Sequence, residues 1–175
     1  MEQVVVIMGS TSDAQKVEPA IQILREFNIE VGVYCISAHR APDGLKHFVK
    51  KINDSGHTLV IIAAAGKSAA LPGVIASGTV VPVIGLPLGG TPLSGKEALY
   101  SMTEMPPGVP VATVGIDAAK NAGLLAIRII ATQVSDLALE LERYYENLAK
   151  KSLEVNEQIH MQYAENHSSD HFRKV

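Results

Sequence analysis

The chain alternates between short uninterrupted apolar runs and longer segments in which apolar residues recur at helical spacing. An apolar run of about four to eight residues, bounded by Gly, Pro or polar residues, is typical of a parallel strand covered on both faces. The sequence therefore predicts strands over residues 4–8, 30–36, 58–64, 82–87 and 111–114. The prolines of the fourth run stand at its ends, where they disturb a strand ladder least.

Segments with helical periodicity lie between these strands. We predict helices over residues 12–28, from residue 42 or 43 to residue 54, and over 117–132, with shorter helices after the glycine-rich loops that follow the third and fourth strands. Strands that alternate with helices in this order specify a parallel sheet with helices on both faces and right-handed crossovers. The predicted fold is a single three-layer α/β domain over residues 1–133.

Residues 134–175 have a different pattern. Leucine and tyrosine side chains recur along one face of a long charged helix, which we predict from residue 134 to about residue 163. A five-stranded core has no obvious place for this helix, so we expect it to dock on a neighbouring subunit, with a solvated extension as the alternative. The final AENHSSDHFRKV is a polar tail, in which we interpret His167 and His171 as tail residues rather than metal ligands.

Composition and charge narrow the classes of partner. The chain has 175 residues, is 47% apolar and 19% charged, and carries a formal net charge of −3, so its overall field attracts neither nucleic acid nor an anionic membrane. Aromatic residues are only 5% of the chain and Trp is absent, which argues against a base-stacking surface. A small polar ligand suits this chain better, and an anionic one must be bound by local groups.

Cysteine usage and the first residues indicate the compartment. Cys35 is the single cysteine, which excludes an intramolecular disulfide and a zinc site built from cysteines. The start MEQVVVIMGS has an apolar run that is too short for a signal peptide or a membrane span, and it predicts a first buried strand instead. We therefore expect a cytoplasmic protein.

Three loops follow predicted strands and carry the candidate chemistry, because ligands of open parallel sheets bind at the carboxyl ends of the strands. The first loop is MGSTSD, in which Gly9 allows a tight turn and Ser10, Thr11, Ser12 and Asp13 lead into a helix. Free N–H groups at a helix N-terminus bind phosphate. The alternative is a simple N-cap in which Ser12 or Asp13 caps the helix.

The second loop, SAHRAPD, brings Ser37, His39 and Arg40 to the same edge. An arginine binds phosphate or carboxylate with two parallel hydrogen bonds, and an imidazole exchanges protons near neutral pH. A loop of exposed polar residues that begins a helix is the alternative. The third loop, AAAGKSAALPG, carries Gly66, Lys67 and Ser68 before a short helix, where they could bind an anion or allow close packing.

Several catalytic classes lack their motifs in this sequence. There is no Walker loop, no G-x-G-x-x-G after a strand, no G-x-S-x-G elbow and no histidine or carboxylate pattern suited to a metal. What remains is a histidine that transfers a proton on a phosphorylated small molecule, without metal or nucleotide cofactor. A non-catalytic binding or receiver module is the alternative from another class, although the first strand lacks the acidic pair that receivers need.

These motifs together resemble a known family. MGSTSD, SAHRAPD, the loop with ALPG, LSGKEALYSMTEMPPGVPVATV and AAKNAGLLAIRI occur in the order and spacing of the aminoimidazole ribonucleotide carboxylases and N5-carboxyaminoimidazole ribonucleotide mutases of purine biosynthesis. The likeness spans residues 4 to about 132. It implies a flavodoxin-like, doubly wound, five-stranded sheet, a homo-octamer with active sites at subunit contacts, and no cofactor.

The resemblance also implies roles for individual residues. His39 would be the general acid/base at the imidazole carbon that receives the carboxyl group. The phosphate of the ribonucleotide would be held by Ser10, Asp13 and Arg40, and Ser37, Gly66 and Ser68 would complete the pocket. Further pocket residues implied by the same loops are Gly9, Thr11, Ser12, Ala38, Lys67 and Leu71.

The family has two branches that form the same product, 4-carboxy-5-aminoimidazole ribonucleotide (CAIR). Mutases move a carboxyl group from an exocyclic nitrogen to carbon, whereas carboxylases use free CO2. Mutases usually carry GGAAHLPG in the third loop, and here the run is GKSAALPG, so Ala70 replaces a second histidine. Lys67 and Ser68 match the residues that carboxylases have in this loop, whereas Arg40 stands where carboxylases commonly have lysine and therefore favours the mutases. The sequence leads us to expect the CO2-using carboxylase, with the mutase as the alternative.

Overall fold

The structure is a computed structural model and describes residues 2–168. Within these residues the chain forms five β-strands, which are β1 Val4–Met8, β2 Val31–Cys35, β3 Val60–Gly66, β4 Val83–Leu88 and β5 Ala112–Thr113. The same part of the chain contains the α-helices α1 Ala14–Glu26, α2 Pro42–Ser55, α3 Leu71–Ala76, α4 Lys96–Thr103, α5 Ala119–Ala131 and α6 Ser135–Ser168. Strands and helices alternate as the hydrophobic pattern predicts.

The strands of the described region form one parallel sheet in the order β2-β1-β3-β4-β5. In this order, the chain first moves outward from β1 to β2 and then returns past β1 to β3, so neighbouring crossovers leave β1 in opposite directions. Such a reversal leaves a crevice at the carboxyl ends of the strands. Met8 at the end of β1 pairs with both Cys35 of β2 and Ala64 of β3, which brings the loops after these strands to one edge.

Helices cover both faces of the sheet. On one face, α2, α3 and α4 bury apolar side chains against alternate residues of the strands, including Val5, Ile7, Ile61 and Ala63. On the other face α1 packs against α5, and α5 also contacts β3 and β4. Side chains of successive strand residues point to opposite faces, so both layers share the same strands. This arrangement confirms the predicted three-layer α/β fold.

Element boundaries differ from the predicted ones where local propensity is weak. The third strand is Val60–Gly66, two residues later at each end than predicted, because Ala65 and Gly66 continue the register with Pro87 and Leu88 of β4. Pairing with a neighbouring strand therefore overrides the low strand propensity of Ala and Gly. The fifth strand is shortened to Ala112–Thr113 at the sheet edge.

The chain divides into two compact units, one ending at Val134 and the other beginning at Ser135. The second unit contains α6, which continues to Ser168, so the first five residues of the predicted polar tail, including His167, belong to the helix. The rest of that tail, from residue 169 and including His171, lies outside the described residues. Several large apolar side chains of α6 are at least 44% exposed, among them Leu139, Leu148 and Leu153. No helix in the described part of the chain is long and apolar enough to cross a membrane.

Candidate active site

A cavity of about 850 Å³ opens at the carboxyl edge of the sheet. It is formed by the loops after β1, β2, β3 and β4, which the parallel register places side by side. The sequence-predicted polar side chains in its wall are those of Ser10, Ser12, Asp13, Ser37, His39, Arg40, Lys67 and Ser68. The cavity is therefore polar where the loops meet and apolar where strand ends such as Leu88 form its floor.

The first loop is ordered by short-range hydrogen bonds. Thr11–Asp13 forms a 3-10 turn, and the Ser10 Oγ caps it by accepting from the Ser12 N–H at 3.3 Å and the Ser12 hydroxyl at 2.9 Å. Asp13 stands at the N-cap position of α1, but its side chain makes no capping hydrogen bond. The N-cap interpretation is therefore right about the position of Asp13 and wrong about its side chain, since the side-chain cap in this loop is made by Ser10 on the 3-10 turn that precedes α1.

The second loop is tied to the first across the crevice. The Arg40 guanidinium donates from Nη2 to the carbonyl oxygen of Gly9 at 3.4 Å. The Ser37 Oγ accepts from the Arg40 backbone N–H at 3.3 Å, which fixes the turn that carries His39. Both His39 and Arg40 are exposed, so an imidazole and a guanidinium are accessible to a ligand in the cavity.

The third loop connects β3 to the short helix α3. Lys67 adopts a left-handed backbone conformation with φ of +55°, and Lys67 and Ser68 are exposed at the cavity wall. Ala70 is half-buried in the same wall, where its methyl group adds no donor, acceptor or charge. The loop therefore contributes one cation and one hydroxyl to the cavity.

The fourth loop is a part of the site that the sequence reading missed. Gly89, Gly90 and Thr91 line the cavity together with Lys16 from the first turns of α1. The Thr91 hydroxyl donates to the Glu97 carboxylate and accepts from the Gly95 N–H, which holds the loop against the start of α4. A Gly-Gly-Thr run directly after the fourth predicted strand was the signal that could have pointed to this wall.

The structure places nearly all of the predicted site residues together. Those that line the cavity are Gly9, Ser10, Ser12, Asp13, Ser37, Ala38, His39, Arg40, Gly66, Lys67, Ser68 and Leu71. Thr11 does not belong to this wall and is exposed on the 3-10 turn. Among the residues that the structure describes, no group of three or more His, Cys, Asp or Glu side chains could hold a metal ion.

Comparison with known proteins identifies the family. The AIR carboxylase family model matches residues 3–151. The chain is 43% identical over 150 residues, 86% of each protein, to the N5-carboxyaminoimidazole ribonucleotide mutase of Pyrococcus abyssi. It is 42% identical to the phosphoribosylaminoimidazole carboxylase of Schizosaccharomyces pombe, over 88% of this chain and 28% of that protein.

Solved structures agree with the sequence relatives. The crystal structure of Treponema denticola PurE superposes with a TM-score of 0.82 at 30% identity, and the match covers 89% of this chain and 96% of that one. Pyrococcus horikoshii provides a further relative named as the mutase, 46% identical over 83% of this chain and 82% of that protein. The resemblance read from the loop motifs is confirmed, and the chain belongs to the AIR carboxylase family.

Proposed function

We propose that this protein is an enzyme of purine biosynthesis that forms CAIR, and that it does so as an N5-carboxyaminoimidazole ribonucleotide mutase. The observation that carries the proposal is the position of His39 and Arg40 in one cavity with the Gly9 to Asp13 loop. An acid/base group thereby stands beside a cation and a loop suited to phosphate. The names of the relatives supply the substrate class.

Arg40 and the first loop are the proposed phosphate site. The guanidinium of Arg40 can bind two phosphate oxygens, and its hydrogen bond to Gly9 directs it toward the first loop. The Ser10 hydroxyl accepts from Ser12 and keeps its own proton, so it can donate to the phosphate there. A carboxylate repels phosphate, so Asp13 suits a ribose hydroxyl better, since a hydroxyl can donate to it.

His39 is the proposed acid/base residue. Moving a carboxyl group from the exocyclic nitrogen to C4 breaks an N–C bond and forms a C–C bond; the nitrogen gains a proton and C4 loses one. The isomerisation is therefore neutral in protons overall, and a single imidazole can give the first proton and take back the second. A ribonucleotide bound against the cavity walls would also keep CO2, an uncharged and weakly electrophilic intermediate, beside the ring.

The comparisons favour the mutase over the carboxylation that the sequence alone led us to expect. Relatives 42–46% identical over most of the chain carry the mutase name in archaea and bacteria. Carboxylation of aminoimidazole ribonucleotide by free CO2 remains the second candidate. Two observations support it: Ala70 lies in the cavity wall where mutases usually have histidine, and the S. pombe relative is named a carboxylase.

An isotope experiment separates the two candidates. The purified protein is given N5-carboxyaminoimidazole ribonucleotide labelled with ¹³C in its carboxyl group, in excess unlabelled bicarbonate. The mutase transfers its own carboxyl group, so CAIR should retain the label. Carboxylation from free CO2 would dilute the label to the level of the bicarbonate pool. Failure to form CAIR from either this substrate or aminoimidazole ribonucleotide with bicarbonate would refute the proposed function.

Assembly and location complete the proposal. We expect a homo-octamer in the cytoplasm, with α6 of each chain docked on a neighbouring subunit. The exposed apolar residues of α6 support this docking, since a solvated helix would lose nothing by carrying polar residues there. Sedimentation equilibrium of the full chain and of Leu148→Lys tests it. Loss of the large species in the variant is the expected result, and a monomeric wild type would contradict it.

A further inference from the structure

The ion pair between Lys16 and Asp117 forms hydrogen bonds with both the N–H and the carbonyl group of Gly89, a residue of the cavity wall. The Lys16 ammonium donates to the carbonyl oxygen of Gly89 at 2.5 Å and lies 3.5 Å from the Asp117 carboxylate. The same carboxylate accepts a hydrogen bond from the N–H of Gly89 at 2.9 Å. The peptide groups on both sides of Gly89 are therefore held by the side chains of Lys16 on α1 and Asp117 just before α5.

The backbone at Gly89 and Asp117 allows the Asp117 carboxylate to approach the Gly89 peptide closely. A Cβ atom on Gly89 would lie 2.6 Å from Oδ2 of Asp117, so a side chain there would expel the carboxylate. Asp117 itself has φ of +54°, a left-handed conformation that non-glycine residues rarely adopt and that Asp tolerates better than most. Costly backbone conformations of this kind persist where the surroundings enforce them, often at functional sites.

The position of the pair argues against two simpler roles. Lys16 and Asp117 are 35% and 48% exposed, and ion pairs this accessible contribute little to the stability of a fold. Their charges also cancel, so the pair adds little field to attract a phosphate, in contrast to Arg40 and Lys67. What the pair does control is the orientation of the peptide groups at residue 89, in the cavity wall.

We infer that Lys16 and Asp117 are positioning residues that hold the β4 loop, residues 89–91, in the shape that fits the ribonucleotide. The role in ligand fit rests on the function proposed above, whereas the hold on the loop does not. Loss of the ammonium frees the carbonyl of Gly89 and leaves the Asp117 carboxylate without its cation, bonded only to the Gly89 N–H. The loop then samples other orientations, and binding must order it again at a cost in affinity.

Four variants test this inference. Lys16→Met should lower kcat/KM about tenfold, mainly through KM, because a hydrogen bond to a charged group is lost. Lys16→Arg keeps a charged donor and should recover much of that loss. Asp117→Asn keeps the acceptor for the Gly89 N–H and should be intermediate. Asp117→Gly removes the pair but favours the positive φ, so kcat/KM should fall while the midpoint of thermal unfolding stays constant or rises.

The rate of amide hydrogen exchange in a peptide that covers residues 86–95 measures how well the loop is ordered in the absence of substrate. It should accelerate in Lys16→Met and Asp117→Gly, and stay unchanged in Lys50→Met, which removes an exposed ion pair with Asp54 elsewhere. Unchanged exchange and unchanged kcat/KM in Lys16→Met would overturn the inference. If exchange accelerates in Lys16→Met but the wild type itself forms no CAIR, the contact between Lys16 and the loop stands and the proposed function is refuted.

Discussion

Replacement of Gly123 by alanine tests the packing of α5 against α1, the helix that begins at the first cavity loop. Gly123 lies in α5 where this helix meets α1. A Cβ atom there would overlap Cγ2 of Ile23 and lie 3.0 Å from the carbonyl oxygen of Ala20 and 3.3 Å from its Cα. Ordinary contacts between such atoms are about 3.5–4.0 Å, so the two helices must separate.

The size of the destabilisation in Gly123→Ala depends on whether the atoms near the new Cβ can move away. Ile23 is 1% exposed, and two of the three contacts involve backbone of α1, so rotation of a side chain cannot relieve them. Inserted methyl groups in packed cores cost about 1–3 kcal/mol, and rigid backbone contacts place this site near the upper end. The gain in helix propensity from Gly to Ala offsets about 1 kcal/mol. The free energy of unfolding should therefore fall by about 2 kcal/mol.

Gly44→Ala is the matched control, because Gly44 is also helical but its added Cβ would meet only the Cβ of Ala41, at 3.8 Å. Calorimetry at one protein concentration should show the unfolding midpoint of Gly123→Ala lowered by about 4–8 °C. Gly44→Ala should gain part of the helix propensity and rise by about 1–4 °C. A Gly123→Ala midpoint that rises as in the control would refute the close α1–α5 contact.

Two further predictions concern a ligand contact and a titrating group. Arg40→Lys keeps the charge but loses the paired hydrogen bonds, so KM should rise about tenfold, and Arg40→Met should raise it about a hundredfold; unchanged KM in steady-state assays would remove Arg40 from the phosphate site. The hydrogen bond to Glu2, partial burial and the negative charge of Glu2 raise the pKa of Tyr34. The folded state therefore favours the neutral phenol, and its contribution to stability is complete below about pH 10 and lost as pH rises through the raised pKa. Thermal unfolding should lose stability above about pH 10 more steeply in the wild type than in Tyr34→Phe, and equal slopes would contradict this.

Most of the fold could be predicted from the sequence because burial dominates this sheet. The run VVVIM predicts β1 with its observed bounds, since every residue of Val4–Met8 is buried. The apolar pattern fails where backbone pairing extends a strand through residues of low strand propensity, as at Ala65 and Gly66 of β3, which pair with Pro87 and Leu88 of β4. The pattern also fails at α6, because the helix continues through residues 164–168 of the polar tail, beyond the end predicted at about residue 163.

The candidate site was predictable to the extent that it depends on strand ends. Parallel strands bring their carboxyl ends to one edge, so the loops with Ser10, His39 and Ser68 could be expected to meet. The contact between Lys16 and Gly89 joins residues 73 positions apart, and nothing in the local pattern of either marks it. The loop motifs also could not decide the carboxyl donor, because Ala70 favours the carboxylase and Arg40 favours the mutase. The names of the relatives were needed to favour the mutase.

Turnover of N5-carboxyaminoimidazole ribonucleotide by His39→Asn tests most directly that this cavity moves a proton with His39. Asparagine keeps the size and polarity of the side chain and loses the acid/base group. CAIR formation should fall on the order of a hundredfold or more, while calorimetric titration shows CAIR binding within a few-fold of the wild type. Turnover close to that of the wild type, with binding retained, would contradict the assignment of His39 as the acid/base.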